Sequence, residues 1–223
     1  MKRVAGFLTV GALAAAVALQ ASLHVDRDSV EVAQLDANNW EQFVPGGKEV
    51  DAIYGDFVLR NGQLVAVIAK PVEGRNANMT VRDVGGCLID LTRRDRQSDQ
   101  LSAFYPGGSK AYFYRAGEMV PPSATVTDGA IKIRSAGSEI RPAVEVTYEL
   151  SPGDAFLRVS TKYTNESQKE MTIQPEDSLR VDAQKDEIVK APDGTSELFW
   201  LHDQFWEQAY GIEAPGHELV INN

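Results

Sequence analysis

The chain has 223 residues, with 22 Lys and Arg against 32 Asp and Glu, three His and one Cys, and a formal net charge of -10 at pH 7. Such an acidic surface repels phosphate backbones and anionic headgroups, which argues against nucleic acid and membrane-surface partners and leaves neutral polar ligands and cations. A single cysteine, Cys87, excludes an internal disulfide, so stability must come from packing.

The chain begins with Lys2 and Arg3 ahead of an apolar run from Val4 to Leu19 and small residues beyond, the three-part pattern of an export signal. Residues 1–21 are therefore expected to be a signal peptide, with Ala16-Val17-Ala18 an alternative cleavage context, and the mature chain to be secreted or periplasmic. No later segment is apolar enough to suggest a membrane span, so no membrane association is expected after cleavage. Residues 22–223 then form one expected β-sandwich domain.

Within that domain the apolar periodicity is close to two, the signature of strands. In GDFVLRNGQLVAVIA, Asn61-Gly62 between two apolar runs predicts a hairpin with a type I′ turn. Pairing outward sets Leu59 opposite Leu64, Phe57 opposite Ala66 and Val58 opposite Val65. Apolar residues then lie on both faces, as in an inner hairpin. Further strands are expected at Met79 to Val84, Cys87 to Thr92, Gln100 to Tyr105, Ala111 to Arg115, Ala130 to Arg134, Met171 to Gln174, Ser178 to Val181 and Glu218 to Ile221.

A second hairpin is legible in AVEVTYELSPGDAFLRVSTKYTN, where Val144, Val146, Tyr148 and Leu150 alternate with Glu145, Thr147 and Glu149 around a Ser151-to-Asp154 turn. Acids of its first strand can meet the bases Arg158 and Lys162 of its second. Asn38 to Phe43 and Asp203 to Tyr210 read as one or two helical turns, and Asp182 to Ser196 as a long polar loop. The fold class is all-β, an antiparallel sandwich with little helix. The final GHELVINN reads as a strand that has barely begun to pair, an expectation that the chain is the N-terminal part of a longer protein.

Chemistry is sparse. Cys87 shares strand parity with Ile89 and Leu91 and reads as a buried core residue rather than a nucleophile. Gly85-Gly86 precedes a strand, not a helix, so it reads as a bend or close backbone approach instead of a phosphate cradle. His24, His202 and His217 lack metal-binding spacing, and Asp95 with Asp99 lacks the glycine and closing glutamate of a calcium loop. No cofactor or metal is expected, and no serine sits in a GxSxG context. ELFWLHDQFWEQAYG, residues 197–211, is the densest constellation. Its flat aromatic faces suit sugar C–H surfaces, and its imidazole, carboxylate and amide groups suit hydroxyls. The alternative is a capping turn whose aromatics bury themselves on the sheet.

The succession GDFVLRNGQLVAVIA, VGGCLIDLT and DQLSAFYP resembles the opening of the galactose-mutarotase-like β-supersandwich, and VEVTYELSPGDAFLRVSTKYTNES is similar to its middle hairpin. More narrowly, the chain resembles the N-terminal β module of large exported bacterial proteins with carboxypeptidase-regulatory-like domains. The resemblance implies a supersandwich but no catalysis, because the family's histidine pair and catalytic glutamate have no counterpart here. The expectation is an exported, non-catalytic module for binding or assembly, partnered by carbohydrate or by a following domain of the same chain. Trp200, His202, Asp203, Trp206 and Tyr210 are its candidate ligand residues. The alternatives are an epimerase or lyase acting on sugars, with acids between Asp177 and Glu187 as acid/base groups, and a purely structural domain.

Overall fold

A computed structural model describes residues 29–107, 122–182, 185–190 and 197–215. The expected export signal, the strands at Ala111 to Arg115 and Glu218 to Ile221, His24 and His217 lie outside the described residues. The fold is all-β, and the described residues form three antiparallel sheets. Among the described residues no helix is long and apolar enough to cross a membrane.

The largest sheet has the order β1-β2-β3-β4-β5-β10. Its strands are β1 (Glu31–Gln34), β2 (Phe57–Arg60), β3 (Leu64–Ile68), β4 (Leu88–Arg93), β5 (Leu101–Tyr105) and β10 (Ser178–Val181). A four-stranded sheet follows chain order through β6 (Ser123–Thr127), β7 (Ala130–Ser135), β8 (Ala143–Glu149) and β9 (Arg158–Thr164). A three-stranded sheet comprises β11 (Lys185–Lys190), β12 (Glu197–Asp203) and β13 (Gln208–Glu213). The helical turn expected near residue 40 is present as α1 (Trp40–Phe43).

The inner hairpin is β2–β3, buried along its whole length between β1 and β4. Its register sets Leu59 opposite Ala66 and Arg60 opposite Val65, two residues from the pairing expected for an Asn-Gly turn. The reason lies in the Asn61 side chain. Its Oδ1 accepts the N–H groups of Gln63 at 2.8 Å and Leu64 at 2.9 Å, so Asn61 opens the turn instead of occupying its centre. A two-residue shift preserves which side chains share a face, and the expected apolar faces therefore survive.

One face, with Leu59 and Ala66, joins Ile131, Ile133, Val144, Val146 and Tyr148 of the four-stranded sheet in a common core. Two polar contacts lock these sheets together: Tyr148 donates to the Gly86 carbonyl at 2.8 Å, and Asn61 Nδ2 donates to the carbonyls of Ser151 and Asp154 at 2.8 and 2.9 Å. On the wet face of β8, Arg158 reaches Glu149 at 3.1 Å as the alternation expects, while Glu145 is met by Lys132 of β7 at 3.3 Å. Such exposed pairs contribute only about 0.2–1 kcal/mol each.

The opposite face of the large sheet, carrying Val58, Arg60, Val67 and Asp90, is crossed by residues 36–56. Arg60 lies 3.9 Å over the Phe43 ring and pairs with Glu31 through two hydrogen bonds of 3.0 and 2.7 Å. Farther along, Asp90 Oδ1 accepts the Asp51 N–H at 2.8 Å. Apart from α1, this crossing segment is irregular backbone, tied down by polar contacts.

Cys87 is buried, as its parity with Ile89 requires, and burial pushes its thiol well above the ordinary range. The preceding glycines make a turn closed by a 2.9 Å bond from Cys87 N–H to the Val84 carbonyl. Gly86 takes a φ of 84°, which favours glycine, while a Cβ on Gly85 would stand 3.0 Å from the Val72 carbonyl oxygen.

Several expected elements differ. Met79 to Val84 is not a strand, because Asn78 Oδ1 gathers the N–H groups of Thr80 and Val81 into a turn and Asp83 takes a φ of 56°. Met171 to Gln174 is irregular, in a stretch that follows an Asn165–Ser167 turn. Within the expected loop from Asp182 to Ser196, residues 185–190 form β11, because β12 offers a full pairing edge for that polar segment. The expected helical turns at Asp203 to Tyr210 are instead a four-residue turn followed by β13.

Candidate binding surface

The β12–β13 hairpin carries the candidate ligand residues. Its register sets Trp200 opposite Gly211 and His202 opposite Ala209, so these four share one face. Phe199, Leu201 and Asp203 share the other with Ile212, Tyr210 and Gln208. Alternation thus divides the aromatics of this segment between the two faces.

On the first face, the Trp200 and His202 rings lie 5.7 Å apart at 33°, and both side chains are half-buried. On β13 their cross-strand neighbours, Gly211 and Ala209, are small and exposed, while on β11 Glu187 stands opposite Trp200 and Lys185 opposite His202. At the hairpin tip, Phe205 and Trp206 are 78% and 45% exposed, with rings packed edge to face at 5.5 Å. Two large aromatics left in water cost burial energy of the order of 1.5–3 kcal/mol each, which makes their exposure informative.

The tip is held from below. Asp203 is buried, and its Oδ1 accepts the N–H groups of Phe205 at 2.8 Å and Trp206 at 3.2 Å. Glu207, with a φ of 49°, closes the turn. An aspartate bonding to the backbone two and three residues ahead fixes a turn and prevents a helix from starting.

Tyr210 is also buried, and it docks this sheet on the large one. Its hydroxyl accepts the Gln100 N–H at 2.8 Å and stands 3.0 Å from the Leu91 carbonyl and 3.1 Å from Asp99 Oδ1, donating its one proton to either. Burial pushes the Tyr210 hydroxyl well above the usual phenol range. Nearby, Ser98 Oγ donates to Gln208 Oε1 at 3.3 Å.

Of the five candidate residues, then, Trp200, His202 and Trp206 lie toward solvent, while Asp203 and Tyr210 use their polar atoms on protein groups. Phe205, absent from that set, is the most exposed aromatic of the hairpin. Its position directly after the turn-fixing Asp203-Gln204 pair was the available signal.

Of the acids considered for catalysis, Asp177 and Asp182 are engaged separately. Asp177 accepts the Gly107 N–H at 2.8 Å, and burial raises its carboxyl above the usual range. Asp182 pairs with Lys48. Asp95, on the charged turn, is bound by Arg93 through bonds of 3.0 and 2.7 Å, whereas Asp99 is buried and accepts the Leu91 N–H at 2.8 Å. Asp95 and Asp99 thus do not act as one ligand pair.

Comparison with family models, with curated proteins and with solved structures finds no match to this chain.

Proposed function

We propose that the chain is an exported, non-catalytic β-sandwich module of supersandwich type that binds neutral polysaccharide through the β12–β13 hairpin. Trp206 and Phe205 form the leading contact, and Trp200 with His202 extends it along the strand. Asp203 and Tyr210 act by positioning: one fixes the tip, the other fixes the hairpin on the large sheet. The observation that carries this reading is the exposed Phe205–Trp206 pair on a turn whose backbone is fixed by a buried carboxylate. A rigid aromatic pair loses little entropy on binding, which suits it to a ligand of flat apolar faces edged by hydroxyls.

The acidic balance of the chain favours uncharged over anionic glycans. The epimerase or lyase alternative draws no support from the separately engaged Asp177 and Asp182. Calorimetric titration with a panel of neutral polysaccharides tests the proposal. The expected result is binding that weakens about thirtyfold in Trp206→Ala, the effect of losing an interface anchor worth about 2 kcal/mol. No binding to any member of the panel would end the carbohydrate reading.

A further inference from the structure

A second exposed aromatic turn lies outside the hairpin, just before β2. Tyr54 is 61% exposed, and Ile53, next to it in the chain, is 48% exposed. The Tyr54 ring meets the half-buried Trp40 ring of α1 edge to face, with centroids 5.1 Å apart at 85°. Two consecutive large apolar side chains in water, one of them packed on a third, are a group rather than the scattered single residues of an ordinary surface.

The turn is built to hold its shape. Asp56, at its end, is fully buried. Its Oδ2 accepts the Ile53 N–H at 2.9 Å and an Arg75 Nη2 bond at 2.7 Å, and its Oδ1 accepts the Lys70 N–H at 2.8 Å. Arg75, also buried, reaches on to the carbonyls of Asp51 at 2.7 Å and of Asn76. The backbone is clamped as well: Gly55 donates to the Leu35 carbonyl and Leu35 to the Asp56 carbonyl, both at 2.8 Å, and Gln34 Nε2 donates to the Gly55 carbonyl at 3.0 Å. A buried ion pair returns little net stability, because taking both charges out of water offsets their attraction. Here it fixes geometry, tying the turn before β2 to the chain beyond β3.

The hairpin tip has the same plan. In both places a buried aspartate accepts backbone N–H groups of a turn that presents an edge-to-face ring pair. Groups that suit sugar hydroxyls lie beside the second turn. The Tyr54 hydroxyl and the side-chain amide of exposed Asn38, two residues before Trp40, make no hydrogen bond among the described residues.

We propose that the Tyr54–Trp40 turn is a second contact for neutral polysaccharide, so that each chain holds the polymer at two places. The ligand class rests on the reading of the hairpin tip as a carbohydrate contact. Tyr54 offers the exposed part of its ring to a pyranose face, its hydroxyl and the Asn38 amide meet sugar hydroxyls, and Trp40 backs the ring. Asp56 and Arg75 act as positioning residues. Two contacts joined by one ligand chain hold a long polymer more tightly than either holds a short fragment.

Titration of the isotope-labelled full chain with cellohexaose, mannohexaose, xylohexaose and maltohexaose, followed by amide NMR, tests this. With a hexasaccharide that binds, the Ile53, Tyr54 and Gly55 amides are expected to shift along one saturation curve and the Phe205, Trp206 and Glu207 amides along another. Tyr54→Ala should weaken the first curve at least about fivefold and leave the second unchanged. Shifts confined to the hairpin amides would overturn the second contact, keep the reading of the tip and leave the turn to a protein partner. An undiminished first curve in Tyr54→Ala would also overturn it, and the wild-type map needs no variant to fold. Shifts confined to residues 53–55 would uphold the turn and end the reading of the tip. No shift at either place with any of the four would overturn the second contact and leave the polysaccharide panel to decide the tip.

Discussion

Replacing Asn61 by Ala tests whether the clasp between the two larger sheets is a principal source of stability. The native side chain makes four hydrogen bonds: two accepted from Gln63 and Leu64, and two donated to Ser151 and Asp154. Asn61 is fully buried, so water cannot easily replace its partners. Taking about 1 kcal/mol net per bond, and discounting the Gln63 N–H because that residue is exposed, gives a loss of about 2–4 kcal/mol. Urea unfolding with linear extrapolation measures this directly, with the slope expected to stay constant if only the folded state is affected. Asn61→Asp separates the two halves of the role. It keeps the acceptor that shapes the turn but presents a second oxygen to the Ser151 and Asp154 carbonyls. If the clasp matters, Asp should cost at least as much as Ala at pH 7 and recover part of the loss on acidification, when the carboxyl can donate. A wild-type-like Asn61→Asp would show that only the turn counts, and an Asn61→Ala loss below about 0.5 kcal/mol would refute the clasp altogether.

Tyr210→Phe removes the hydroxyl that meets Gln100, Leu91 and Asp99 and leaves the buried Gln100 N–H without its acceptor, a predicted loss of about 1–3 kcal/mol by chemical denaturation. An unchanged midpoint would remove Tyr210 as the anchor of the hairpin. Global stability should fall with rising pH: Asp99 moves from an ordinary 3.8 to about 7 in the folded chain, so the folded state binds a proton that the unfolded chain has released. The contribution is fully present below about pH 4 and lost as pH rises through about 7; thermal melts across that range that show the opposite trend would contradict it. Cys87 should resist thiol reagents in the native protein and react on unfolding, since it is buried and its thiolate is disfavoured; rapid native labelling would contradict the assignment to the core.

What the sequence made legible was local and periodic. The alternation of Val144, Val146 and Tyr148 was enough to place β8, and the apolar faces of β2–β3 were correct although the register was two residues away. The error there was instructive, because the Asn-Gly signal carried no information that the Asn61 amide would be claimed by carbonyls about 90 residues along the chain. Asp203 to Tyr210, the turn and the start of β13, reads as helical because its aromatic segment lacks clean alternation, and only Asp203 points to a turn. Short β1 and exposed β6 have too few apolar positions to declare themselves.

The buried acids were illegible for a related reason. Asp90 lies inside CLIDLT, where strand alternation would ordinarily send an aspartate to water, and nothing periodic announces that residues 46–51 will roof that face. The roof is irregular backbone, specified by the hydrogen bonds it makes rather than by its own residue pattern. Its attachment points therefore have to be polar, and polar groups beneath a roof are removed from water as the chain folds. That is why the one strand of the core sheet interrupted by a carboxylate is also where the crossing segment and the third sheet meet. Tyr210 shows the same logic from the other side: read as a ligand-facing aromatic, it is a buried residue through which the exposed hairpin is held to the Asp99 carboxyl. The exposed aromatics and the buried Tyr210 are in this way two ends of one hairpin, with Asp203 setting the shape of its tip and Asp99 holding its base.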